Sequence, residues 1–265
     1  MLVSLIMPTY NRDFIIELAI KSIINQKKNK SEIELLIGDD GNDATYDIVK
    51  KYINNCRIKV IYKKYNRIAL SDKINDLVCM SSGEYYGIIG SDDMQSPYKI
   101  YSLEHALDSN KKADIFGQMK FIYHDIIYNK FSKWTQNRSL YLFKAGSFMI
   151  NNRNIFDMVN GYDPGLWKRI DTSFYNKVVK LKPNIFDLST LCPEIIDSSV
   201  AIQHFDNIWG RKAKGLLSKK NKQTTNFLAE PAFINISDTF PDLYSDYRDT
   251  KNRIIKLYKK NYPLK

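Results

Sequence analysis

The sequence predicts an α/β protein built on a mainly parallel central sheet flanked by helices, with a small antiparallel sheet and C-terminal helices in its second half. Three observations carry this expectation. Short apolar runs alternate with segments of roughly ten to fifteen residues whose apolar positions recur at helical spacing, the pattern of βαβ units. In the first half three of these runs end in polar loops, PTYNR, GDDGND and GSDDMQSP. From Asp206 onward the composition turns polar and basic.

The elements follow in order. LVSLIM is an apolar run stopped by Pro8 and reads as a buried strand. DFIIELAIKSIINQ places Phe14, Leu18, Ala19, Ser22, Ile23 and Gln26 on one helical face, with Asp13 as N-cap or first-turn acid. IELLIG is a second strand, ATYDIVKKYI a second helix and RIKVIYKK a third strand. LSDKINDLVCMSS is a third helix and EYYGIIG a fourth strand. PYKIYSLEHALDS is a helix that Pro97 can open at its first position. ADIFGQMKFIYH is strand-like, and DIIYNKFSKW and RSLYLFKAGSFMI read as antiparallel strands. DTSFYNKVVKL is a helix, EIIDSSVAIQHF is strand-like, and a loop and helices close the chain.

With 265 residues, 44% hydrophobic and 26% charged, the chain has the composition of one large or two small globular domains. It contains no run of about 18 apolar residues, so no transmembrane helix is expected. The apolar N-terminal stretch lacks a basic start and reads as a strand, not a signal peptide. Cys56, Cys79 and Cys192 lie far apart with no CxxC pair, which argues against a disulfide framework or a cysteine zinc site and fits a reducing, cytoplasmic compartment. The net charge of +11 is concentrated in KKNK, RKAKGLLSKKNK and the C-terminal tail. Such a balance favours nucleic acid, anionic lipid or a phosphorylated small molecule. There is no GxGxxG. GRKAKGLL has the glycine spacing of a P-loop at Gly210 and Gly215 but lacks the Lys-Ser/Thr that follows.

In parallel sheets ligands bind outside the carboxyl ends of the strands. That rule places the three polar loops on one rim. Asp92 and Asp93 repel one another unless a positive group sits beside them, and a divalent cation held with substrate phosphates is the usual resident. The alternative is a pair of acids complementing the dipole of the helix that follows.

The three loops, VSLIMPTYN with Arg12, ELLIGDDGND and GEYYGIIGSDD, occur here in the order and spacing found in inverting nucleotide-sugar glycosyltransferases. Over residues 2–205 the chain resembles glycosyltransferase family 2, with the GT-A fold. The resemblance implies that Pro8, Thr9 and Tyr10 hold the nucleotide base, and that Asp40, with Asp39 beside it, accepts from a base N–H. Turn chemistry is the other reading of DDGN. Lys73 would face the donor phosphates or be a solvated helix residue. Asp93 would bind Mn2+ or Mg2+ directly, and Asp92 the ribose or a metal-bound water. The family's loop often reads Asp-x-Asp-Asp; Gly90 stands at the first position here. VNGYDPGLWKRIDTSFYNKV resembles the family's segment before a helix opening on an acidic pair, which leaves Asp171 in the general-base position or as a plain N-cap. Asp163 reads as a turn residue. His204 completes the metal or phosphate shell or is structural, and His105 and His124 are structural. Trp134, Tyr162, Trp167 and Trp209 are candidates for stacking on sugar rings or for the core.

The chain divides on this reading into residues 1–110, a nucleotide-sugar-binding half; 111–205, the acceptor side of the same domain; and 206–265, a basic lid loop and helical tail. Arg211 or Lys214 of the lid would pair with the donor diphosphate. The expected partners are a nucleotide-sugar donor, a UDP-sugar in particular, and a glycan or lipid-linked acceptor. The basic tail offers a contact for a membrane surface at the periphery of the cytoplasm. Two rivals stand beside this reading. A sugar-nucleotide pyrophosphorylase would want a glycine-rich basic loop after the first strand, and PTYNR has no glycine. A basic nucleic-acid-binding module is permitted by the charge and the 18 tyrosines, but the rim is acidic and no nucleic-acid motif occurs, so nucleic acid is not expected as a partner.

Overall fold

The computed structural model describes residues 1–109, 112–118, 120–136, 149–192, 199–204, 227–231 and 236–261. A seven-stranded sheet runs through both halves in the order β3-β2-β1-β4-β8-β5-β9. Its first four strands, β1 (Leu2–Thr9), β2 (Glu32–Asp39), β3 (Lys59–Lys64) and β4 (Tyr85–Ile88), are parallel. β8 (Ile150–Asn152) is antiparallel to both β4 and β5 (Ile115–Gly117), and β9 (Ile185–Asp187) is parallel to β5. The strands of the first half are apolar on both faces because both are covered. Val3, Leu5 and Met7 of β1 join one buried cluster and Ile6 the other, as the two-residue period of a strand requires.

Helices α1 (Ile16–Ile24) and α4 (Lys99–Asp108) pack on one face, and α3 (Leu70–Met80), α5 (Arg153–Met158) and α6 (Ile170–Val178) on the other. α2 (Thr45–Val49) is a single short turn between β2 and β3. Gly38 lets α3 approach the sheet, since a Cβ there would lie 2.7 Å from Leu77 Cδ1. A second sheet, ordered β10-β6-β7-β11, is formed by β6 (Lys120–Asp125), β7 (Lys130–Gln136), β10 (Val200–Gln203) and β11 (Phe227–Pro231). β6, β7 and β11 are antiparallel neighbours, and β10 pairs parallel to β6. α7 (Ile236–Thr239) and α8 (Tyr244–Asn261) close a third cluster against α1 and β10.

Several local expectations are revised. Asp13 does not cap α1: the cap position is Ile15, and Asp13 N donates to Asp43 Oδ2 at 2.9 Å. Pro97 precedes α4, which starts at Lys99, because Ser96 first forms a turn that receives Tyr98 N and Lys99 N at 3.1 Å each. ADIFGQMKFIYH yields two strands in different sheets, β5 and β6. The described end of RSLYLFKAGSFMI is β8, which lies in the main sheet. β9 and β11 have no counterpart in the sequence reading. No helix among the described residues is long and apolar enough to cross a membrane.

Candidate functional site

Register brings the loops together. Thr9 pairs with Asp39 across β1 and β2, and Ile89 N, just past β4, donates to Ile6 O at 2.7 Å. The ends of β1, β2 and β4 therefore share one rim. The first two loops are bonded to each other. Asn11, left-handed at φ 51, accepts Asn42 N on Oδ1 at 2.9 Å, and Arg12 N donates to Thr45 Oγ1 at 3.2 Å. Gly41 sits at the closest approach, where a Cβ would come 2.5 Å from Asn11 N.

Asp39 and Asp40 have different surroundings. Buried Asp39 accepts Gly41 N at 2.8 Å, the Tyr62 hydroxyl at 2.9 Å and Lys64 Nζ at 3.3 Å, so its oxygens serve the loop. Buried Asp40 accepts Lys73 Nζ on Oδ1, and Arg67 Nη1 at 2.5 Å and Ile68 N at 3.3 Å on Oδ2. Burial alone would raise its pKa, but the bonds from Lys73 and Arg67 outweigh it and hold the carboxyl below its ordinary value. Lys73 is buried as well and also donates to Thr9 O at 2.9 Å. It is thus neither solvated nor turned outward: desolvation lowers its pKa, opposed by the Asp40 charge. Thr9 Oγ1 is buried beside this pair with no hydrogen-bond partner among the described residues. Tyr10 is 41% exposed at the mouth, and Pro8 pairs with Gly38 one residue back.

Arg67 covers this pocket. Its guanidinium lies 3.8 Å from the centroid of Tyr10 and 4.4 Å from that of Trp167, which is 45% exposed. Trp167 belongs to the loop before α6. That loop is bound to α3: Asn75 exchanges two 2.8 Å bonds with the Tyr162 backbone, Leu166 N donates to Ser71 Oγ at 2.8 Å, and Gly165 N to Asp72 at 3.0 Å. Asp163 accepts the Ser173 hydroxyl and pairs with Lys177 at 3.0 Å, anchoring the same loop to α6. Tyr162 is buried and stacks on Phe174 at 4.1 Å, which makes it a core residue.

At the end of β4, His204 Nε2 lies 3.2 Å from Asp92 Oδ2, and Arg12 Nε 3.8 Å from the same oxygen. Burial would raise the Asp92 pKa; the imidazole and the guanidinium reverse this and lower it. Asp93 Oδ1 accepts Ile202 N at 3.3 Å, and a two-bond bridge between Met94 and Val200, both at 2.9 Å, fixes β10 against this loop. Magnesium and manganese are commonly held by one or two carboxylates completed by phosphate oxygens, and carboxylate ligands suit both ions, while imidazole is a ligand of first-row transition ions more than of magnesium. The converging Asp92 Oδ2 and His204 Nε2 fit such a donor set. No cluster of three or more His, Cys, Asp or Glu occurs among the described residues, so phosphate ligands would have to complete the shell. Behind the loop Lys99 is buried, donates to Gln95 Oε1 at 2.8 Å, and is pushed down to about 7 by desolvation against the charge of Asp93.

Asp171 lies in the first turn of α6, after Arg169 in the left-handed cap position at φ 58. It is half-buried, makes no hydrogen bond or ion pair among the described residues, and is raised by desolvation to about 7. His124 stacks on Phe131 at 4.0 Å inside the second sheet, a packing role. Arg211, Lys214 and Trp209 lie outside the described residues, and of Trp134 only the backbone is described, in β7. The sequence reading missed Arg67 and Lys99. Lys99 carries a signal, a charge on a helix turn otherwise packed inward. Arg67 carries none.

Residues 4–165 match the family model described as Glycosyl transferase family 2, and the chain belongs to that family. Its fold is the GT-A fold. Among curated relatives, the abequosyltransferase RfbV of Salmonella typhimurium is 36% identical over 119 residues, 44% of this chain and 35% of that protein. The chain spans only 35–48% of the length of the first such relatives. Among solved structures, residues 1–349 of S. aureus TarS in complex with UDP-GlcNAc align with TM-score 0.63 at 16% identity, over 99% of this chain and 73% of that one. The mannosyltransferase PcManGT of Pyrobaculum calidifontis, in complex with GDP-Man and Mn2+, aligns with TM-score 0.56 at 14% identity, over 76% and 56%.

Proposed function

We propose that the chain transfers a sugar, with inversion, from a nucleotide diphosphate sugar to an acceptor hydroxyl, and that the donor is a UDP-sugar. The observation that carries this reading is the rim itself. An exposed ring, Tyr10, stands with a buried ionised carboxylate, Asp40, at the end of β1 and β2, and Arg12 of the Tyr10 loop reaches Asp92, which meets His204 from the end of β10. A base can stack on the ring, and its imide N–H can donate to Asp40, which is acceptor-only when ionised. Lys73 keeps Asp40 charged and fixed from behind, so we assign it to positioning and not to phosphate contact. Asp39 holds the loop. Asp92 and His204 would hold a divalent cation, manganese being the better match to the imidazole; when bound it supplies positive charge against the diphosphate leaving group. Asp93 ties the loop to β10.

Inversion requires a base on the acceptor hydroxyl. Asp171 suits it: the carboxyl has no competing partner among the described residues, and a pKa of about 7 lets it take a proton near neutral pH. TarS was solved with UDP-GlcNAc and PcManGT with GDP-Man, which supports a nucleotide sugar as donor and makes the base a point to be tested. The test is incubation with a panel of UDP- and GDP-sugars with and without Mn2+, following release of free nucleotide. Slow, metal-stimulated hydrolysis of UDP-sugars, reduced in Asp92→Ala, is expected. Absence of hydrolysis and of nucleotide binding across the whole panel would sink the reading.

A further inference from the structure

Arg67 makes both contacts that a nucleobase is expected to make at this site. Its Cζ lies over the Tyr10 ring at 3.8 Å from the centroid, and its N–H donates to Asp40 Oδ2 at 2.5 Å. The same Cζ lies 4.4 Å from the Trp167 ring centroid, and no ring contact joins Tyr10 to Trp167, so the guanidinium stands between the two rings. The two rings therefore bracket a slot one planar group thick. A guanidinium and a nucleobase are both flat, both carry N–H donors in the plane, and both stack on aromatic faces. They are mutually exclusive in such a slot.

Resting on the nucleotide-sugar reading above, we propose that Tyr10 and Trp167 form a two-sided clamp for the donor's nucleobase and that Arg67 is its internal place-holder, leaving the slot when the base enters. Asp40 then exchanges a guanidinium N–H for a base N–H while keeping Lys73 and Ile68 N, so its charge stays compensated. Half of the Arg67 side chain is already exposed, 49%, so its exit needs no rearrangement of the core. Trp167 lies four positions before Asp171 in the chain. Stacking on the base from the second side thus holds the segment that leads into the catalytic carboxylate, and donor binding orders the acceptor side.

A competitor tethered in the slot lowers apparent affinity by the fraction of molecules in which the slot is open. If Arg67 leaves it in about 3 to 30% of molecules, Arg67→Ala tightens UDP binding by about 3- to 30-fold. Adding Trp167→Ala to Arg67→Ala should weaken UDP roughly 5- to 100-fold, the scale of losing one base–aromatic stack. Titration of UDP, GDP and ADP by calorimetry on wild type and on these variants reads both effects. Arg67→Lys, which keeps the charge by Asp40 without a stacking plane, should also tighten binding and substitutes should Arg67→Ala fail to fold. Unchanged or weaker UDP binding in both Arg67 variants, with wild type binding normally, overturns the place-holder and leaves the donor assignment standing. An unchanged affinity on adding Trp167→Ala overturns the clamp. No nucleotide bound by wild type or by any variant overturns the inference together with the function it rests on.

Discussion

Burial raises Asp171 from its ordinary 3.8 to about 7, and this has one consequence for chemistry and one for stability. If Asp171 is the base proposed above, it must be ionised to act, so turnover should rise with pH through about 7. Asp171→Asn should bind donor normally and lose about 10²- to 10⁴-fold in turnover. In the unfolded chain the same carboxyl ionises near 3.8, whereas the folded chain holds its proton up to about 7. Stability is therefore lost as pH rises between those values and is flat above them. Asp171→Asn should melt higher than wild type at pH 8, with the gap closing near pH 4; equal melting temperatures at pH 8 would contradict the half-buried, unpartnered setting. Lys73 is the opposite case. It and Asp40 are 2% and 0% exposed as a pair, and Lys73→Met would leave the buried carboxylate with Arg67 as its one cation and the Ile68 N–H as its other donor. Urea unfolding should show a loss of about 3 kcal/mol, the scale for removing one partner of a buried pair. Tyr10, Asp40, Asp92 and Asp171 could be singled out as candidates because each stands beside a strand end or helix start that can be read locally, although the sequence pointed to Asp93 and not Asp92 as the direct metal ligand. The burial of Lys73 was not, since it depends on Thr9 and Asp40 from other elements. Arg67 was invisible because its partner Trp167 comes from the opposite half.

At the scale of elements, α3 ends without a basic residue in its last turn, and Arg153 supplies one from α5. Its guanidinium donates to Val78 O at 2.9 Å, Ser81 O at 2.8 Å and Ser81 Oγ at 2.9 Å, satisfying carbonyls the helix leaves open. Arg153→Ala should cost about 2 kcal/mol in urea unfolding with an unchanged slope. In the second sheet, burial lowers His124 to about 3 from 6.5, with Lys251 of α8 opposing its charge further. The unfolded chain takes up this proton below 6.5 and the folded chain does not, so stability falls as pH drops from there. His124→Phe keeps a ring against Phe131. It should lose less melting temperature than wild type between pH 7 and pH 5, and parallel losses would assign the acid sensitivity elsewhere. The βαβ succession was readable from continuous apolar runs and helical spacing. β5, β8 and β9 were not resolved as separate strands, because three residues carry no period. Only their partners in the sheet define them.

Across the whole molecule the division expected at residues 110–111 does not separate the structure. β8, β5 and β9 from the second half complete the sheet begun by β4, and the loop before α6 is bonded to α3 through Ser71, Asp72 and Asn75. This seam was not legible, because it pairs strands far apart in sequence and gives β8 to the main sheet. Two halves sharing one sheet cannot unfold separately without exposing a long edge and the buried face on which α3, α5 and α6 meet. The three tryptophans, Trp134, Trp167 and Trp209, all lie beyond residue 110, so their fluorescence reports the second half and, through Trp167, its docking on the first. Far-UV circular dichroism reports both halves. In urea the two signals should give one midpoint. Asn75→Ala removes the reciprocal bonds to the Tyr162 backbone, about 1 kcal/mol each, and should lower both midpoints together. A fluorescence transition that precedes the dichroism, in wild type or only in the variant, would show instead that the acceptor side is a separate folding unit docked on α3. In that case donor and acceptor sites would be joined by a seam able to open.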